Sequence, residues 1–463
     1  MSKYYLYAQL LPESMDEGQT LGLLISKESW REEASEPAKG DKVLLVNGKG
    51  GALEYIQPHL LVFQDKNKKD FHFSVERTCL NPVPLDKVRT ILSRPLSMGA
   101  NTISAKEYED IVASMGGARI TEGELLEQIK KYIAARGYYF PEETIYNYHI
   151  CLKTRPFVIL AGLSGTGKSK LSQLYAEAIG HSVQNGHYLR LAVRPSWNDD
   201  RFLLGYLNTI TGEYVTEPAI EFVIQAERDR DNLYFLCLDE MNLAHVEYYF
   251  SQFLSALEEE NPADRRIHLF SQITQDRLEA QGKQIDVDRV ALVPANLLFT
   301  GTINVDETTQ QISDKVIDRA NTLEFFDVDL AKVPDRQPAP EPLQISSSTW
   351  RSYQVNKPDS TCRSDVIEIG KILSKAGLGL GYRVLREIEL YMANSKGLLT
   401  PSVAFDLQVK QRILPRLRGS QAILNTLREL QAFTKQHKLP RSLERLEEME
   451  SRLKRDGYTS FWR

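Results

Sequence analysis

The stretch that most restricts how this chain can fold is Gly162-Leu163-Ser164-Gly165-Thr166-Gly167-Lys168-Ser169, placed directly after the apolar run Phe157-Val158-Ile159-Leu160-Ala161. A short, wholly apolar run suits a strand buried on both faces. The glycines then let the backbone turn sharply, with its N–H groups pointing inward and no side chain in the way. From Leu171 to Ile179 the apolar residues return at helical spacing. Strand, tight turn and helix in that order predict one unit of a parallel sheet covered by helices. The inward amides and the start of the helix together make a cradle for an anion.

The spacing G-x-x-x-x-G-K-[ST] is that of a phosphate-binding P-loop, so Gly162, Ser164, Gly165, Thr166, Gly167, Lys168 and Ser169 are the expected nucleotide-binding residues. Lys168 can reach the β- and γ-phosphates, and the Ser169 hydroxyl can ligate Mg²⁺. A second apolar run, Leu233 to Leu238, ends in Asp239-Glu240. Asp239 is expected to hold Mg²⁺ through water, and Glu240 to polarise the attacking water. The plain alternative is a pair of exposed carboxylates opening the next helix. A third run, Leu297 to Ile303, ends in Asn304, with Asp306 two residues on. An Asn there can lie between the other two strands and orient the lytic water, although Asn is also an ordinary turn residue.

The order of P-loop, Asp239-Glu240, strand-end Asn304 and then Asp318-Arg319 resembles an AAA+ ATPase module. It is most similar to the McrB-like branch, the motor subunits of modification-dependent restriction systems. Leu238-Asp239-Glu240-Met241-Asn242-Leu243-Ala244, Gly301-Thr302-Ile303-Asn304-Val305-Asp306 and Gly381-Tyr382-Arg383-Val384 carry that resemblance, which spans about residues 138–419. The resemblance implies that Asn304 is sensor 1, that Arg319 is the arginine finger reaching a neighbouring subunit's nucleotide, and that Arg383 is the sensor 2 arginine. Arg386 is a nearby rival for Arg383. An ion pair with Asp314 or Asp318 is the ordinary alternative for Arg319. Where the best-known member has a run of arginines, this chain has only Asp318-Arg319-Ala320.

At 463 residues the chain is long enough for about three domains. Residues 1–95 alternate in short apolar runs broken by Gly and Asn clusters, which predicts a small β-rich N-terminal domain. Residues 96–155 are read as a helical connector, 156–330 as the α/β P-loop AAA+ core, 331–363 as a Pro-rich linker, and 364–463 as a C-terminal α-helical lid. The linker reading rests on Pro334, Pro338, Pro340 and Pro342, too closely set for helix or central strand. Residues 194–214 are expected to form a hairpin at Thr211-Gly212, and 262–294 a second hairpin beside the Asn304 strand. The resemblance makes the first a pore loop, and a plain surface loop is the alternative.

No run reaches the ~20 apolar residues of a membrane span, and Met1-Ser2-Lys3-Tyr4-Tyr5 lacks a signal peptide's apolar core. Cys79, Cys151, Cys237 and Cys362 are widely spaced, with no zinc-binding pattern. A cytoplasmic protein with no zinc is the expectation. Net charge is −5, so the whole chain is not a strong polyanion binder. From Lys396 onward basic residues outnumber acidic ones about two to one, including Lys410, Arg412, Arg416 and Arg418. They suggest a DNA or RNA path, or equally the solvated faces of long helices. The resemblance implies a target-recognising role for the N-terminal domain, whereas its aromatics Tyr4, Tyr5, Tyr7, Trp30, Tyr55 and Phe63 are ordinary core residues of a β-rich domain.

The sequence therefore reads as a P-loop NTPase that hydrolyses ATP or GTP with Mg²⁺. The resemblance implies a homo-oligomeric ring, a hexamer by analogy, that moves on DNA in a restriction or antiviral defence system. It also implies a separate McrC-like nuclease subunit, since no nuclease centre is visible in this chain. The alternative is a MoxR-like protein-remodelling ATPase that acts on protein without DNA. The phosphate cradle does not separate ATP from GTP, which share their phosphates.

Overall fold

The computed structural model describes residues 120–463 apart from 284, 306–309, 327 and 463. Among the first 119 it describes 4–10, 23–26, 30, 37–39, 41–49, 52–66, 70–78, 83–92 and 99–114. Asp306 and Cys79 lie outside the described residues. The chain divides into two compact units, Met1–Thr121 and Glu122–Arg463. The stretch 96–155 read as one connector is thus shared. Gly99–Ile103 is a strand of the first unit, and the helices Glu122–Ala135 and Glu142–Thr154 belong to the second.

In the first unit Tyr4–Leu10 pairs parallel with Lys42–Lys49 and antiparallel with Gly99–Ile103. Ala52–Lys66 and Asp70–Thr78 extend the sheet antiparallel. The period of two sorts its residues. Leu6, Leu44 and Val46 face Val88, Leu92, Tyr108 and Ile111 of two helices. Tyr5, Tyr7, Val43 and Leu45 face Trp30 and Phe63 on the other side. Trp30 stacks at 6.0 Å on Tyr7 and meets Tyr5 edge-on at 5.1 Å. These four aromatics are core.

The second unit is built on five parallel strands: β1 (Phe157–Gly162), β2 (Tyr188–Ala192), β3 (Tyr234–Asp239), β4 (Leu297–Asn304) and β5 (Asn321–Phe325). Their order across the sheet is β5-β1-β4-β3-β2. Every residue of β1 is buried, as its uninterrupted apolar run requires. The helix α1 (Lys168–Ala178) follows β1, and α2 (Pro218–Arg228) precedes β3. Both expected hairpins are present. Tyr206–Leu207 pairs with Tyr214–Val215, and Arg266–His268 pairs with Val290–Leu292 around the helix Gln272–Ala280.

The Pro-rich stretch is extended, and it is bound to the core rather than loose. Gln337, Leu343, Ile345 and Ser347 donate backbone N–H groups to Ala135, Ala178, Ile179 and Asp231 at 2.8–3.2 Å. Prolines prevent this strap from becoming a strand, yet it closes over α1. The C-terminal region is helical at Arg363–Ser374, Tyr382–Asn394, Pro401–Gln408, Leu424–Gln436 and Pro440–Asp456. A π turn at Val409–Ile413 was not foreseen from the sequence.

Candidate functional site

The loop between β1 and α1 adopts the conformation its glycines permit. Gly165 and Gly167 have φ of 80° and 87°, which L side chains rarely adopt. A Cβ on Gly162 would fall 1.9 Å from the carbonyl oxygen of its β5 neighbour Phe325, so this close approach demands glycine. Thr166 ties the loop with a 2.8 Å hydrogen bond from its hydroxyl to Leu163 O. Lys168 is buried and donates to Gly162 O at 3.1 Å and Leu163 O at 2.5 Å. Burial pushes its ammonium below the ordinary lysine value, while Asp239 and Glu240 pull it back up.

Strands β1, β3 and β4 end at the same edge of the sheet, with β4 between the other two. That adjacency brings Ser169, Asp239, Glu240 and Asn304 together. The Ser169 hydroxyl donates to Asp239 Oδ1 at 2.5 Å. Thr302, on β4, donates to the same oxygen at 2.7 Å and accepts from the Glu240 N–H at 2.9 Å. Glu240 has φ of 53°, an uncommon conformation for a residue with a Cβ, as it turns from β3 into a short 3-10 turn. So placed, its carboxylate accepts from Asn304 Nδ2 at 2.8 Å. Asn242 donates to Asn304 O at 2.9 Å, fixing the end of β4.

The donors around Asp239 are oxygens, a hydroxyl and a carboxylate, which suit a hard divalent cation such as Mg²⁺. Among the described residues no three His, Cys, Asp or Glu gather as a closed metal cage. Beside the loop, a cavity of about 370 Å³ is lined by Thr166, Tyr139, Phe140, Phe326, Lys410 and Glu444, among others. Its size and aromatic wall can take a nucleobase.

Arg319 and Arg383 are elsewhere. Arg319 stands two residues before β5, and Asn321 at the head of β5 is level with Val158 near the head of β1. The loop follows the other end of β1, about 15–20 Å away at the rise of a strand. Arg319 pairs with Glu258, and Arg383 Nη1 lies 3.1 Å from Oε1 of the same carboxylate. The expected rivals for Arg319 are engaged otherwise: Asp318 with Arg416, and Asp314 with Arg418 at 2.9 Å. Arg386 pairs with Glu260. The structure thus joins Lys168, Ser169, Asp239, Glu240 and Asn304 at one edge, and Arg319 with Arg383 at the other. Arg383 does not reach its own chain's phosphate cradle.

The basic run from Lys410 to Arg418 is paired within the chain. Lys410 pairs with Glu324 at 2.7 Å. Arg412 is wholly buried, pairs with Glu387, and donates to the carbonyls of Ile317, Asp318 and Ala320. Glu387 also pairs with Arg155. With the Arg416 and Arg418 pairs, each of these four basic residues has an acidic partner within the chain. Sequence reasoning missed Thr302, Asn242 and Glu258. A Thr two residues before Asn304 faces the same side of β4 as Asn304, and that periodicity was the available signal for Thr302.

Comparison with protein families matches residues 343–458, about a quarter of the chain, to a domain of unknown function (DUF8727). Comparison with curated proteins gives no match. A solved structure from Cytophaga hutchinsonii, provisionally named an ATPase, aligns over 61% of this chain and 79% of its own. Its identity is 15% and its TM-score 0.39, and at that distance the likeness adds nothing to the geometry above. Among the described residues no helix is long and apolar enough to cross a membrane.

Proposed function

We propose that this chain is an oligomeric P-loop NTPase of the AAA+ type that hydrolyses ATP or GTP. The observation that carries this reading is the closed set Ser169–Asp239–Thr302 and Glu240–Asn304 at the end of the P-loop strand. The loop amides and Lys168 bind the β- and γ-phosphates. Ser169 and Asp239 would hold Mg²⁺, which supplies positive charge against the phosphate oxygens. Glu240 and Asn304 orient a water in line with the γ-phosphorus. Its oxygen bonds to that phosphorus, and the bond from phosphorus to the β–γ bridging oxygen breaks. The proton lost by the water passes to the surrounding carboxylate and phosphate oxygens, leaving nucleoside diphosphate and inorganic phosphate.

Arg319 completes the reaction from a neighbouring copy, because it is a sheet length from its own chain's cradle. That requirement supports an assembled ring. The motif wording supports the McrB-like branch, with an McrC-like nuclease as partner and DNA as track. The internal pairing of Lys410, Arg412, Arg416 and Arg418 favours a second reading, a MoxR-like ATPase that remodels protein. Phosphate release with ATP and with GTP, across a range of protein concentrations, tests the proposal, with Glu240→Gln as control. Turnover per chain that rises with concentration and vanishes in Glu240→Gln is expected, and its stimulation by duplex DNA separates the two branches. Turnover independent of concentration would overturn the shared site.

A further inference from the structure

We infer that Glu258 is a positioning residue that holds Arg319 and Arg383 together as one anion site, presented to the triphosphate of a second copy of this chain. The inference rests on the NTPase reading above. It adds a residue that no motif marks, and it assigns Arg383 to the neighbour's nucleotide rather than its own.

Three separate elements meet at this point. Glu258 follows the helix Ser251–Ala256, Arg319 follows the helix Asp314–Ile317, and Arg383 lies in the first turn of Tyr382–Asn394. Two guanidiniums on one carboxylate leave a net positive charge. The mutual repulsion of the arginines is felt at Arg319, where burial and then the charge of Arg383 push the guanidinium below its usual value. Without Glu258 the two cations would separate, since like charges a few ångströms apart near a surface repel by a few kcal/mol. The Arg319 side chain is only 16% exposed and its Nη1 donates to Lys315 O at 2.5 Å, so it is held in place rather than solvated. Arg383 and Glu258 are more open, at 41% and 32%, so an incoming phosphate can reach them. A γ-phosphoryl group carries more negative charge than one carboxylate and can take over the arginines without their moving far. Arg386 is held by Glu260 and is not the third arm of this site.

The test is a subunit-mixing assay read by phosphate release. Lys168→Ala chains cannot cradle nucleotide but offer intact arginines. Glu258→Ala chains cradle nucleotide but offer misaligned arginines. Alone, Glu258→Ala is expected to turn over about tenfold more slowly with unchanged nucleotide affinity, and Glu258→Gln, which keeps the length and one acceptor, to fall between it and the unmodified chain. An equal mixture of Glu258→Ala with Lys168→Ala should rise to about a quarter of unmodified turnover, since half the cradles then meet half the arginine pairs at head-to-tail interfaces. Failure of that mixture to rise, while Arg319→Ala mixed with Lys168→Ala does rise, would overturn the role of Glu258 and leave the NTPase reading standing. Failure of both mixtures would overturn the shared-site reading itself. Faster turnover in Glu258→Gln would also contradict positioning, since it would make the carboxylate a restraint.

Discussion

At the carboxyl end of the β5-β1-β4-β3-β2 sheet, Ser169, Asp239, Thr302, Glu240 and Asn304 close their hydrogen bonds on one another. At the amino end, Arg319 and Arg383 share Glu258, and Arg412 braces the segment that carries Arg319. One end has acids, hydroxyls and the glycine loop, with Arg190 Nη1 3.9 Å from Asp239 Oδ2. The other has arginines and no cradle. The sheet between them keeps Arg319 and Arg383 away from the loop of their own chain. The difference between the two ends is therefore an argument for assembly, drawn from the spacing of one protomer.

Substitutions at either end can sharpen or break this comparison. The largest effect belongs to Lys168→Ala, which should abolish nucleotide binding and lower turnover by at least about 10⁴-fold, because the loop loses its only buried ammonium. Equilibrium binding of a fluorescent nucleotide checks it. Arg319→Ala should lower turnover about 10³-fold or more while leaving binding intact. Loss of binding instead would make Arg319 structural and dissolve the contrast between the ends.

Arg412→Ala should cost about 3–5 kcal/mol of stability, since it leaves Glu387 with Arg155 alone and takes the donor from three interior carbonyls, each worth about 1–3 kcal/mol when unpaired. Thermal and denaturant unfolding measure this, and a change below 1 kcal/mol would refute the brace. His181 sits where α1 returns to the amino end, its Nε2 2.8 Å from Ile345 O of the strap. Burial pushes its pKa down to about 4, from 6.5. The unfolded chain therefore binds the proton first, and the stability contributed by the neutral ring is full above pH 6.5 and lost as pH falls toward 4. The loss amounts to about 3 kcal/mol. A His181→Gln chain should show a shallower acid transition, and an unchanged one would remove His181 from the account. The smallest effect is Thr302→Val, which leaves the Glu240 N–H unpaired and Asp239 with one donor fewer, for about a tenfold fall in turnover. Single-turnover rates would show whether the step affected is chemistry.

The carboxyl end was legible in the sequence because its chemistry sits where strands end. An apolar run stopping at Gly162, Asp239 or Asn304 marks both the element and its functional tip. The helical character of residues 364–463 was legible too. The amino end was not. Glu258 is one of three consecutive glutamates after a helix, and nothing local separates it from Glu259 or Glu260. Its role comes from a contact with Arg383, more than a hundred residues away. The partners of Arg412, Arg416 and Arg418 were hidden for the same reason, since charge in a sequence carries no record of the carbonyls and carboxylates that tertiary packing brings to it. Tyr5, Tyr7, Trp30 and Phe63 were legible as core residues of a β-rich domain, and the strand pairing places them there.

The most direct test of the central claim mixes Lys168→Ala chains with Arg319→Ala chains and follows phosphate release against their ratio. Each variant alone should be nearly inactive. The account predicts that turnover returns on mixing and peaks near equal proportions, because cradle and arginine then come from different chains. Two variants that still co-assemble yet stay inactive at every ratio would contradict it.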